Sequence, residues 1–149
     1  MVHALKEVRR LLKPDGYLID IHPIRKAPLI KVYQKSDLLY TASDPGYDYD
    51  EALRHADEAL DEVVRQGLFH IEGRNEFEMV LYTSSVAEMR DYWEKYGAFD
   101  DEQKEDAITA RQNDIYARVD EIMQNAPGSG ISYHEQAHIM RLKPGIREL

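Results

Sequence analysis

A chain of 149 residues, 43% of them hydrophobic, is long enough for one domain with a core of its own. Its formal charge of −9, from 19 Lys+Arg against 28 Asp+Glu, argues against nucleic acid or an anionic membrane as partner, since phosphates repel such a surface. The chain has no cysteine, which excludes disulfides and thiolate metal sites, and no apolar run nears the ~20 residues of a membrane-spanning helix. No signal-peptide core opens it, so the cytoplasm is the expected compartment.

The first element is an amphipathic helix. Leu5, Val8 and Leu12 fall at i, i+3 and i+7, with Ala4 and Leu11 widening the stripe and Lys6, Glu7, Arg9 and Arg10 elsewhere. Lys13-Pro14-Asp15-Gly16 then makes a turn, with proline setting φ and glycine closing it. Tyr17-Leu18-Ile19-Asp20-Ile21 follows as an apolar run that suits a strand covered on both faces, as in a parallel sheet. After a loop at His22 to Pro28, Leu29 to Tyr33 and Leu38 to Thr41 read as short strands around a turn at Gln34 to Asp37.

A second helix is predicted from Tyr49 to Gln66. Leu53, Ala56, Leu60, Val63 and Val64 form its stripe, Asp48 with Glu51 suggests a capping box, and Gly67 ends it. Leu68 to Ile71 and Phe77 to Thr83 read as two strands separated at Gly73-Arg74-Asn75, with Phe77, Met79 and Leu81 on one face of the second. Ser85 and Glu88 make a further capping box, opening a helix with Val86, Met89, Tyr92 and Trp93; Met79, Met89 and Trp93 are expected in the core. A last helix is expected from about Asp101 to Gln124, carrying Ile108, Ile115, Val119 and Ile122, and Ile131 to Leu142 reads as a final strand.

The string Leu-x-Glu-Val-x-Arg-x-Leu-Lys-Pro-x-Gly at Leu5 to Gly16, followed by an apolar strand, resembles the helix, turn and fifth strand of class I S-adenosylmethionine-dependent methyltransferases. The later order of glycine, strand, serine-rich cap and helix loosely resembles the sixth strand and its helix, and the final strand resembles the family's antiparallel last strand. The resemblance implies an α/β fold over residues 1–149: a partial Rossmann-like sheet, mixed in strand direction with its last strand antiparallel, flanked by helices. In that family the opening element follows the cofactor half, and this sequence begins with it. S-adenosylmethionine is thus the implied cofactor, but no residue here is expected to bind it, and the chain is expected to be inactive alone. Its acceptor would be a small molecule.

Without the fourth strand, the opening strand would carry an uncovered edge. Either the hairpin at Leu29 to Thr41 folds over it or a second copy covers it; a homodimer is favoured. The alternative function is a non-enzymatic interaction or dimerisation module on the same fold.

Three motifs bear on chemistry. His22 lies just past a strand end, where open α/β sheets receive ligands and where the family's acceptor would sit. Tyr40 and Tyr47, with Tyr49 and a group of aspartates, suggest a lid over an acceptor or a sticky surface, against the plainer reading of rings packed on the next helix. His134-Glu135-Gln136-Ala137-His138 fits the His-Glu-x-x-His zinc-hydrolase pattern, but only on a helix. On a strand, residues four apart lie ~13 Å from each other, so a structural strand is the favoured reading and no metal ligand is assigned.

Overall fold

The structure is a computed structural model that describes residues 1–45, 50–96 and 106–145. Among the described residues there are four helices, α1 (Val2–Leu11), α2 (Asp50–Arg65), α3 (Val86–Tyr96) and α4 (Asp106–Asn125). The five strands are β1 (Leu18–Pro23), β2 (Leu29–Gln34), β3 (Asp37–Ser43), β4 (Phe69–Thr83) and β5 (Gly130–Pro144). Together they make an α/β protein with an open antiparallel sheet flanked by helices, hydrogen-bonded in the order β1-β5-β2-β3, with β4 also paired to β5. No helix among the described residues is long and apolar enough to cross a membrane. The chain divides into two compact units.

The first unit comprises residues 1–26, 49–78 and 136–149. Here β1 pairs antiparallel with the second half of β5, from Leu18↔Leu142 to Pro23↔Ala137. Because paired residues share a face, Leu18, Met140 and Leu142 point together. They meet Leu60 and Val63 of α2, Phe69, and the half-buried Val2, Leu5, Val8 and Leu12 of α1 and its end. The helix stripes read from the sequence are therefore the core seams, except that Ala4 and Leu11 lie off the α1 stripe and Leu11 is 71% exposed.

The turn after α1 closes by the Gly16 N–H donating to the Lys13 carbonyl. At the end of α2 the Leu68 N–H reaches the Val63 carbonyl and the Gly67 N–H the Val64 carbonyl. This Schellman pair needs the left-handed φ of +68° that Gly67 adopts without steric cost. Arg9 ties these parts together, its guanidinium donating to the Leu68 and Gly145 carbonyls.

Two expectations for this unit are corrected. The strand Tyr17 to Ile21 is not covered on both faces: α1 and α2 pack on its even positions, leaving Ile19 49% and Ile21 55% exposed. The break foreseen at Gly73-Arg74-Asn75 is absent, since β4 runs unbroken through it; pairing along β5 overrides the local turn signal.

The second unit comprises residues 27–48 and 79–135. The hairpin β2–β3 forms as expected, with Lys35 at its tip in the left-handed region at φ 57°. Its β2 strand pairs with the first half of β5, from Leu29↔His134 to Tyr33↔Gly130. Among the described residues β1 pairs with β5 alone, so the hairpin does not serve as its edge cover. Ile30 and Val32 of β2, Ile131 and Tyr133 of β5, Val86 and Met89 of α3, and Tyr116 and Val119 of α4 form the core.

The capping box of α3 holds with one change. The Ser85 hydroxyl accepts from the Glu88 N–H, while the Glu88 carboxylate reaches back to Ser84 instead of Ser85. The Ser84 N–H and then its hydroxyl hold the Glu88 carboxyl below the usual glutamate range. Met79 is a correction, being 37% exposed, and the expected alternation does not hold around it: Phe77, Val80 and Leu81 are the half-buried positions of this part of β4. The capping residue Asp48 and the start of the last helix before Asp106 lie outside the described residues.

Candidate functional site

In the first unit, β1 carries two polar residues, Asp20 and His22, on the face that α1 and α2 cover. Residues i and i+2 of a strand share a face, and His22 pairs directly with His138 of β5. Three ligating side chains are thereby brought together by backbone register alone. The His22 Nδ1 lies 2.8 Å from Asp20 Oδ2, and the His138 Nε2 lies 3.2 Å from the same oxygen. The two rings meet edge to face with centroids 3.9 Å apart.

Three further groups surround them. Asp57 of α2 sets its Oδ1 3.3 Å from the His22 Nε2, so carboxylates stand at both nitrogens of that ring. Its other oxygen lies 3.8 Å from Arg25 Nε. Arg74 of β4 brings a guanidinium nitrogen to 3.4 Å from the His138 Nδ1. Only a lone pair on Nδ1 can receive that donor, so in this arrangement the His138 ring proton sits on Nε2 and is shared with Asp20. His138 is 1% exposed, and burying an imidazole there is tolerable because both of its nitrogens are engaged.

The sequence reading put His22 in a loop just past the strand; it lies instead within β1, paired with His138, and Asp20 and Asp57 hold its ring. Asp20, Asp57 and Arg74 were not singled out from sequence. Asp20 left a trace, as a lone carboxylate in an apolar strand two residues before a histidine. Asp57 and Arg74 left none, being charged residues on a helix and a strand that are mostly solvated.

The segment His134 to His138 is strand, within β5, so the two histidines do not form the helical zinc pair. His134 donates to or accepts from the Ser132 hydroxyl at 2.9 Å, whereas His138 faces Asp20. Burial raises the pKa of Glu135 between them.

Tyr40 lies in β3 of the second unit and packs against the core formed by β2, β5, α3 and α4, and not on the next helix as the plainer reading of that tyrosine cluster had it. Tyr47 and Tyr49 lie outside the described residues. The second unit also contains a buried carboxylate, Asp44, which accepts from the Tyr133 hydroxyl at 3.0 Å and the Gln112 amide at 2.9 Å. Burial first, then the Asp44 charge, pushes the Tyr133 hydroxyl far above the ordinary tyrosine value; the same two causes push Tyr116 up to about 12. A cavity of about 780 Å³ lies in this unit, lined by Tyr33, Lys35, Tyr82, Thr83, Ser129 and His134 among others.

No family model, curated protein or solved structure matches this chain.

Proposed function

We propose that these residues are the C-terminal, acceptor-side part of a class I S-adenosylmethionine-dependent methyltransferase fold, and that they transfer no methyl group by themselves. The observation that carries this reading is the partner of β1. The strand last in sequence, β5, runs antiparallel beside β1, as the last strand of the resembling family runs beside its fifth.

The exposure of β1 supports the same reading. A central strand of a doubly wound sheet has a neighbour on each edge and helices on each face. Among the described residues β1 pairs with β5 alone and has one covered face, with Ile19 and Ile21 about half exposed on the other. A cofactor-binding half would supply a second neighbour for β1 and helices for its other face. In a complete domain, S-adenosylmethionine held by the other half would supply the methyl group to the acceptor. The protein contributes mainly alignment, and His22 at the C-terminal end of β1 stands where the sheet would receive the acceptor.

Calorimetric titration of the 149-residue chain with S-adenosylmethionine should give no binding heat, and micromolar affinity would overturn the proposal. The coding DNA upstream of Met1 gives a second test. An in-frame strand, glycine-rich loop and helix would support a fragment, whereas a ribosome-binding site beside the first codon would oppose it.

A second reading is favoured by the same open edge, which a second copy of the chain covers in a homodimer with no catalytic role. Sedimentation across micromolar concentrations separates the two: a monomer throughout removes the dimer.

A further inference from the structure

We propose that Asp20, His22 and His138 form a binding site for a divalent transition-metal ion of the zinc class. The inference rests on side-chain geometry alone and stands whether or not the chain descends from a methyltransferase. One ligand atom from each residue lies within 4.8 Å of the others. Around a tetrahedral zinc with ligands at about 2.0–2.1 Å, neighbouring ligand atoms stand roughly 3.3 Å apart. The 2.8 Å and 3.2 Å separations from Asp20 Oδ2 to the two imidazole nitrogens need only small rotations to reach that figure.

The donor set selects the ion. Two imidazoles favour zinc, iron, nickel or copper, while magnesium and calcium prefer oxygen-rich sites. Three protein ligands leave a fourth position for water or a substrate oxygen, the pattern of catalytic zinc in contrast to structural zinc. His22 would bind through Nδ1 and His138 through Nε2. The remaining His22 nitrogen, Nε2, then carries the proton and donates to Asp57, 3.3 Å away. Such a carboxylate behind a ligating histidine fixes the tautomer and raises ligand basicity.

Arg74 works against the ion. Once Nε2 of His138 holds metal, its Nδ1 must carry the ring proton and meets the Arg74 guanidinium donor to donor. Arg74 is exposed and can turn away. Its removal should therefore tighten binding, an effect that a purely structural Arg74–His138–Asp20 chain does not foresee.

The experiment is calorimetric titration of the full chain with Zn²⁺, with Mg²⁺ and Ca²⁺ as controls. One equivalent of zinc should bind, and neither control ion. His22→Ala should weaken zinc binding by about tenfold or more, Asp57→Asn by about tenfold, and Arg74→Ala should strengthen it several-fold. His134→Ala, which alters the motif histidine outside the cluster, should change nothing. Because substitution of buried His138 can impair folding, ¹⁵N chemical shifts of the histidines in the unaltered chain provide the second readout. Zinc should move Nδ1 of His22 and Nε2 of His138. Absence of zinc binding, loss of it in His134→Ala, or zinc-induced shifts at other histidines would each overturn the site.

Discussion

The two faces of β1 differ by one step along the same strand, yet they lead opposite lives. Leu18, Asp20 and His22 point under α1 and α2, beside His138, Met140 and Leu142 of β5. Ile19 and Ile21 point away, beside Arg141 and Ile139, and stay about half exposed. On this open side Arg141 lies over the Tyr17 ring at 5.0 Å and reaches Glu72 at 3.2 Å, a surface arrangement of charge and aromatic edge. Apolar composition on both faces thus specifies what a strand can bury, while the helices present decide which face it does bury. The covered face also carries the ligating cluster, which couples the candidate site to the core.

The covered face should be the sensitive one. Leu142 is fully buried, and Leu142→Ala removes most of its contacts in the first unit's core; a loss of about 3 kcal/mol is expected, measured by urea denaturation. A loss near that of a surface substitution would mean that α1 and α2 do not cover this side.

Asp20→Asn probes the same face with a smaller effect. The substitution keeps the shape but removes the charge that two imidazoles approach, which should cost about 1 kcal/mol in the absence of metal. It should also abolish the rise in melting temperature that zinc gives the unaltered chain, since only the folded state offers the site. Equal zinc-induced stabilisation in both proteins would separate the network from metal binding.

How much of this was legible in sequence follows the range of the forces involved. The stripe Leu5, Val8, Leu12 on α1 and the stripe Leu53, Leu60, Val63 on α2 are local patterns, and both became core seams. The Gly67 stop and the Ser85 cap are local as well, each set within a few residues. The wet face of β1 was not legible, because the same five residues fit a one-sided or a two-sided cover. The continuity of β4 through Gly73 depends on a partner strand distant in sequence. The cluster lay between these cases. His22 was found from its place at a strand end, but its partner His138 is 116 residues away and meets it only through the β1–β5 register. The His-Glu-x-x-His spacing in the sequence instead joins His138 to His134 within β5.

Glu135 offers a pH test of cover elsewhere on β5. Burial raises its pKa, so the folded chain retains a proton at pH values where the unfolded chain has lost it. Stability from this group is therefore fully present below the ordinary glutamate value and is lost as the pH rises through the folded one. Glu135→Gln carries no such titration. The two proteins should melt together in acid, and the variant should melt at modestly higher temperature near pH 7. Identical pH profiles would show that β5 is as open to water at this position as β1 is at Ile21.

The smallest effect is expected on the open face, and its smallness is the point. Ile19→Ser and Ile21→Ser each remove apolar surface that already meets water, so each should change stability by no more than about 0.5 kcal/mol in this chain. Solubility should rise, because exposed apolar residues on a strand are a site for association. The methyltransferase reading adds a conditional outcome. Joined to a cofactor-binding half, the same two isoleucines would pass under helices, and the same substitutions would then cost what buried aliphatic residues cost, several-fold more. A double variant that is neutral in the 149-residue chain and destabilising in a longer product would identify the open face as an interior surface. Neutrality in both would leave it as ordinary surface and would remove the support that this face gives to a missing half.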